Sequence, residues 1–381
     1  MDISKETLAA EYKRRLGIFR KIMAKGSLDA LFFTSTAQQA YQMGCKWLSN
    51  YTLTTRRDIA YVTPDDEPYL YVPTGGQAVG ARKVSWLPAD HIQADELDAA
   101  TAKFVQGLKA DRPRIGVYEP KEVPTYIWNA LNCRDIEVVD ITLELTSERQ
   151  NKSEYELDRI KEASRIAIGS VEHVVRNIAP GKTDSEMVGL AEGYVRAHGG
   201  EDTLILIRAQ KPHTFIARAT DRVITEDDLF IYSVEMAGPG GYWTQCVRPI
   251  FMKKGNHPEA YRILQIIHEA EAAGAAKFVP GNRVCDVAAA IEEVVFRNNL
   301  KMGVWSGHGM GADLGDCVDI GTSNTMEIVP NMILTLHPSV MSEEDGLLYG
   351  NTWMSTEGAP ICLTPDYADV HYLEDLKELI K

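Results

Sequence analysis

Trp305-Ser306-Gly307-His308-Gly309-Met310-Gly311 is the stretch on which the fold of this chain turns. Three glycines around one histidine let the backbone approach something closely, because glycine has no Cβ to hold a neighbour off. A histidine framed in this way reads as a functional residue. The stretch lies in the second of two similar runs. A long helix is expected from Ser153, where Ser153 and Glu156 make a capping box for the first exposed amides, and its counterpart runs from about Pro258 to Phe278. Each ends in a Pro-Gly pair, Pro180-Gly181 and Pro280-Gly281, and each pair opens a second helix, the first with Thr183 and Glu186 as another capping box. Then follow a strand, a histidine (His213, later His308), and a strand ending in an ionisable residue (Glu235, later His337). One helix-helix-strand unit is used twice, and pseudo-twofold packing would bring the polar residues of both halves to one cleft.

Composition sets the frame. At 381 residues the chain is long for one core, so two domains are expected, with a boundary near Thr146 to Lys152: residues 1–148 and 152–381. With 45% hydrophobic and 25% charged residues, it has the make-up of a soluble globular protein. No apolar run approaches the ~20 residues that span a bilayer, and Met1 to Thr7 has no basic region followed by an apolar block, so a cytoplasmic location is expected. The six cysteines (Cys45, Cys133, Cys246, Cys285, Cys317 and Cys362) have no paired spacing, which argues against a disulfide framework or a structural zinc site and for small buried residues. A net charge of -14 without a basic stripe disfavours nucleic acid and anionic membranes as partners.

The first 150 residues alternate helical and strand patterns. Leu16, Phe19, Ile22 and Met23 give Glu11 to Lys25 a helical spacing, with Gly26 suited to stop it. Short apolar runs follow at Ala30 to Phe33, Ile59 to Val62, Tyr69 to Val72 and Ile115 to Tyr118, with helical segments near Asp95 to Leu108 and Tyr126 to Asn132. The fold class is α/β, or α+β for the chain as a whole.

On the repeat, the Gly-His-Gly segment and this N-terminal pattern, the chain resembles the pita-bread hydrolases: creatinase, Xaa-Pro dipeptidase, aminopeptidase P and methionine aminopeptidase. The resemblance covers nearly the whole chain and implies a creatinase/prolidase-type N-terminal domain, a pita-bread domain of two pseudo-symmetric halves, a small-molecule substrate and a homodimer. Metal-using members resemble one another in five ligands, whose positions fall here on Glu235, Gln245, His308, His337 and roughly Gly350. Only His308 keeps its family identity. Two ions ~3.5 to 4 Å apart need several carboxylates, so the resemblance implies no two-metal cofactor. One zinc on Glu235, His308 and His337 remains a chemically legitimate set.

Creatinase works without an ion, and the match of Lys211-Pro212-His213-Thr214 to its histidine segment implies that His213 is a general acid/base. Glu235 closes an apolar strand, Leu229 to Glu235, where a carboxylate is costly unless paired or functional; it could clamp a cationic group, act as base or attack, or merely pair with Arg248. His337 reads equally as a participant or as a filler. Tyr242, Gln245 and Arg248 stand where the family pattern lines the cleft, and Gly238-Pro239-Gly240-Gly241 reads as a hairpin turn. In creatinase-like dimers an N-terminal arginine binds the substrate carboxylate, which here implies Arg56, with Arg57 as the lesser choice.

The expected function is a metal-independent, creatinase-like hydrolase of a carbon to nitrogen bond in a small nitrogen-rich, carboxylate-bearing molecule. His213, Glu235, His308 and His337 are its catalytic residues. The alternatives are an Xaa-Pro-type metallopeptidase with a reduced single-metal site, a pita-bread domain that binds without catalysis, and a carbon to sulfur lyase.

Overall fold

The computed structural model describes residues 4–35, 44–51, 56–316, 318–367 and 370–381; Cys317 and part of the run before Arg56 lie outside them. The chain divides into two compact units, Met1–Arg149 and Gln150–Lys381.

In the first unit six strands form one sheet in the order Ile92–Ala94, Tyr69–Val72, Ile59–Val62, Ala30–Thr34, Arg114–Val117, Glu137–Asp140. The expected strands are all present, and the sheet is mixed: Ala30–Thr34 runs parallel to Arg114–Val117 and antiparallel to Ile59–Val62. The first helix, Lys5–Gly26, starts a turn and a half before the expected Glu11, because the Ser4 hydroxyl caps it by accepting from the Thr7 amide at 3.1 Å. Gly26 does not stop it. Ser27 takes the left-handed conformation, φ 49°, and its amide bonds back to the last turn.

The second unit holds the repeat. Glu154–Asn177 and Pro258–Lys277 are its long helices, and Asp184–Ala197 and Val284–Arg297 are the second helices. Both expected capping boxes form, at Ser153 with Glu156 and at Thr183 with Glu186. The halves also agree in a detail that local patterning does not reveal: the residue before each second helix makes an antiparallel bridge to a later loop, Thr183 to Val223 and Arg283 to Glu327.

The strand Leu229–Ala237 lies between Asp202–Arg208 and Trp243–Phe251, antiparallel to both, and is buried along its length. Successive side chains point to opposite faces of a strand. Phe230, Tyr232, Val234 and Met236 accordingly enter the core built on the first helix pair with Ile166, Val174 and Met187. Leu229 and Ile231 enter the core of the second, with Ile267, Val287 and Leu336. Glu235 shares the parity of Leu229 and Ile231, so its strand aims it towards the second half. A turn with Gly240 and Gly241 at φ 84° and 70° closes the hairpin to Trp243–Phe251, as expected.

Gly307–Gly309, Ile333–Leu336, Asn351–Met354 and Ile361–Cys362 form a four-stranded sheet, and Lys301–Met302, Ser339–Met341 and Gly346–Leu348 a three-stranded one. A bridge between Val247 and Gly350 ties the central hairpin to the end of this region. No described helix is long and apolar enough to cross a membrane. Of the five described cysteines only Cys45 and Cys246 are buried, and none is paired.

Candidate active site

The site is built where the central hairpin meets the four-stranded sheet. Glu235 stands opposite Gln245 in the antiparallel register, and the Gln245 Nε2 donates to Glu235 Oε1 at 3.1 Å and to Ser233 Oγ at 3.2 Å. Thr352 Oγ1 accepts from the Gln245 amide at 3.1 Å and stands 3.1 Å from Thr335 Oγ1, and Thr335 is the register partner of His308. A chain of hydroxyls thus connects the Glu235 pair to the histidine strand.

His308 and His337 come together, with ring centroids 5.1 Å apart, and Trp305 packs on both at 5.4 and 5.9 Å. The His308 Nδ1 donates to the Gly309 carbonyl at 3.0 Å, while both ring nitrogens of His337 are buried without a hydrogen-bond partner. Trp305 is 45% exposed, so it marks the side on which the two buried rings lie nearest solvent.

Burial controls the ionisation. Loss of water pushes Glu235 up to about 7, against the lowering effect of the Ser233 hydroxyl. His337 is driven down to about 3 by burial, aided by the neighbouring His308, and burial also lowers His308. Near neutral pH both imidazoles are uncharged and the carboxyl is divided between its two forms.

The glycines have a different reason from the expected one. At Gly307, φ 139°, a Cβ would overlap the Thr335 carbonyl oxygen, and at Gly311 it would stand 2.6 Å from Asp316 Oδ2. The close approach is to the chain itself. Gly350 follows the same logic: a Cβ there would collide with His337, so the histidine occupies the room that a side chain at 350 would need.

Arg248 does not pair with Glu235. It is buried in a separate network, donating from Nη1 to the Gly350 carbonyl at 2.9 Å and from Nη2 to Asn351 Oδ1 at 2.7 Å, with Asp366 at 3.5 Å from Nε. Its donors are directed to the backbone and side chains that carry the site, as those of a strut would be. The Tyr242 hydroxyl is likewise turned to Glu156, 3.3 Å away in the first capping box. Arg56 is exposed on the first unit, and Arg57 donates to the Ser35 carbonyl at 2.8 Å. His213 is buried and held by Asp345, whose Oδ1 is 2.9 Å from Nδ1; its ring packs on His257 and not on His308 or His337.

Sequence reasoning missed Asp345, 132 residues from His213, and Glu271, a buried carboxyl pushed to about 7 that accepts from Asn351 and Trp353. Asp345 sits in the acidic turn Ser342 to Gly346, which reads as a solvated loop. Glu271 carries a signal that was available, a carboxylate on the otherwise apolar buried face of a helix.

The residues do not fit a two-ion cage. Gln245 has its amide nitrogen turned to Glu235, Gly350 has no side chain, and His337 leaves no space for one. Nor is the one-ion set assembled: Glu235, His308 and His337 are not among the described groups whose ligand atoms all lie within 4.8 Å of one another.

Residues 158–359 match the sequence profile of metallopeptidase family M24, and residues 15–150 that of the creatinase/prolidase N-terminal domain. The chain is similar to an uncharacterized peptidase of Bacillus subtilis, YqhT, at 23% identity over 230 residues, 58% of this chain and 64% of that protein. It therefore spans less than two thirds of the length of that relative. In fold it is similar to the prolidase from Pyrococcus horikoshii (TM-score 0.79, 18% identity, 94% of this chain and 100% of that one). The likeness to an Xaa-Pro dipeptidase from Bacillus anthracis is comparable (0.79, 17%, 95% and 99%). These findings overturn the expected metal-independent, creatinase-like hydrolase, since the profile is that of metallopeptidases and the relative and both structures carry peptidase names. His213, the expected acid/base, stands with Asp345 and His257. A profile matched over more than half of the sequence, with the N-terminal domain that accompanies it, makes this chain a member of metallopeptidase family M24, in the creatinase/prolidase/aminopeptidase P superfamily.

Proposed function

We propose that the chain hydrolyses short peptides of the Xaa-Pro type. The observation that carries this reading is the buried pair His308 and His337 beneath the half-exposed Trp305, connected through Thr335, Thr352 and Gln245 to the buried Glu235. A carboxyl near 7 is matched to proton transfer at neutral pH. As carboxylate, Glu235 takes a proton from the attacking water, and as acid it returns that proton to the departing proline nitrogen. His337, neutral through burial, has one ring N–H to donate to the scissile carbonyl, while His308, whose Nδ1–H is given to Gly309, offers Nε2 as an acceptor for the attacking water, and the buried setting strengthens each of these contacts. The Gln245 amide holds the Glu235 carboxyl in place at 3.1 Å.

Support comes from family membership, from likeness over the whole chain to a prolidase and an Xaa-Pro dipeptidase, and from the retained histidine. The test is mass-spectrometric detection of free proline from a panel of Xaa-Pro dipeptides, with zinc or manganese added and without. Proline release by the intact chain is expected, falling ~10²- to 10⁴-fold in Glu235→Gln. One other reading is a peptide-binding domain without turnover, favoured by Gly350 and Gln245 standing where a metal cage needs carboxylates. Peptide binding with no product from any dipeptide would select it.

A further inference from the structure

Outside the cluster just described, the second unit brings a second set of ligating side chains to one point. His213 follows the strand Asp202–Arg208 and bridges to Leu347; His257 is the residue before the helix Pro258–Lys277; Asp345 lies in the turn between Ser339–Met341 and Gly346–Leu348. One ligand atom from each lies within 4.8 Å of the other two. We propose that His213, His257 and Asp345 form a binding site for one divalent transition-metal ion, zinc being the closest match, set apart from the family's cage positions.

The donor chemistry is two imidazoles and a carboxylate, a known zinc set that leaves one position for water. The spacing agrees. Two donors on a tetrahedral zinc, each ~2.0 to 2.1 Å from it, stand ~3.3 Å apart. The His213 Nδ1 lies 2.9 and 3.0 Å from the two Asp345 oxygens, so an ion replaces the proton between them with a movement of a few tenths of an ångström. The ring proton then resides on His213 Nε2, which is now buried without a hydrogen-bond partner. The Asp345 carboxylate is oriented by the amides of His213 and Gly346, at 3.2 and 2.8 Å. That is the outer support that metal-binding carboxylates commonly have.

His257 is held in a way that a helix start does not call for. It takes φ 53° and offers no capping bond, where a serine or aspartate would. Its Nε2 donates to the Asp227 carbonyl at 2.7 Å, which fixes the tautomer and leaves Nδ1 as the ligating atom, on a ring 5.1 Å from that of His213. Lys211, 3.7 Å from Asp345 and 56% exposed, is free to swing to solvent when an ion enters. The other group of this kind, His268, Asp366 and His371, is a poor site because the buried Arg248 guanidinium already lies 3.5 Å from Asp366.

The proposal is independent of the peptidase reading, and its test uses no activity. Cobalt(II) is titrated into the purified 381-residue chain and followed by its visible d–d absorption, with zinc displacing it. One equivalent of absorbing, zinc-displaceable cobalt is expected, with affinity falling at least ~100-fold in His257→Ala and Asp345→Asn and unchanged in His337→Ala. His257 is only partly buried, so its variant should fold even if an Asp345 variant does not. No saturable cobalt binding by the intact chain overturns the proposal. So does binding that survives His257→Ala and is lost in His337→Ala, which would place the ion in the family position.

Discussion

Replacing Glu235 by glutamine should stabilise the protein, and only at neutral and alkaline pH. The carboxyl is moved from its ordinary 4.5 to about 7 by burial. Each pH unit of such displacement is worth about 1.4 kcal/mol, so above pH 7 the folded state carries a penalty of about 3 kcal/mol at this residue. The sign follows from proton binding. Below about pH 4.5 both folded and unfolded states hold the proton and nothing is lost. Between 4.5 and 7 the unfolded chain releases it while the folded chain keeps it, and the penalty grows. Above 7 the penalty is complete. Glutamine has no proton to lose and keeps the oxygen that accepts from Gln245. Urea unfolding of both proteins at pH 4 and pH 8 should show Glu235→Gln more stable by about 3 kcal/mol at pH 8 and nearly equal at pH 4. Glu271, pushed to about 7 as well, is present in both proteins and cancels in the comparison. An equal difference at the two pH values would refute the argument that Glu235 is a desolvated carboxyl.

Gly350→Ala should destabilise by ~1–3 kcal/mol or more, since its methyl collides with His337 and the Leu336 carbonyl; thermal unfolding measures it, and a neutral result would mean that the two positions are not coupled. Arg248→Ala leaves Asp366 buried without its guanidinium and should cost ~3–5 kcal/mol in the same assay. Thr183→Ala removes the hydroxyl that accepts from the Glu186 amide at 3.1 Å and should cost ~1 kcal/mol, readable as a lower melting temperature.

What the sequence made legible was local or periodic. The boxes at Ser153 and Thr183 were readable because cap and partner are three residues apart, and the repeat because its Pro-Gly pairs recur. The hairpin at Gly238 to Gly241 was readable from composition alone. What stayed hidden depends on residues distant along the chain. His213 and Asp345 are 132 apart, Arg248 is turned from Glu235 by Asn351 and Asp366, and Gly350 is a glycine because of His337. Gly26 misled because Ser27 could take the left-handed turn in its place. The missing cage carboxylates at Gln245 and Gly350 were visible at once, but residue types do not disclose a substrate, and the step from a dismantled cage to creatinase-like chemistry did not hold.

The most direct measurement is the pH dependence of kcat/KM for proline release from the best Xaa-Pro dipeptide, in the intact chain and in Glu235→Gln. Because the ionised carboxyl takes the proton, the rate should rise with pH through an inflection near 7, and the variant should lose that inflection together with ~10²-fold or more of the rate. A rate that is flat across this range, or a variant that keeps both the inflection and the turnover, would contradict the assignment of Glu235 as the proton carrier at this site.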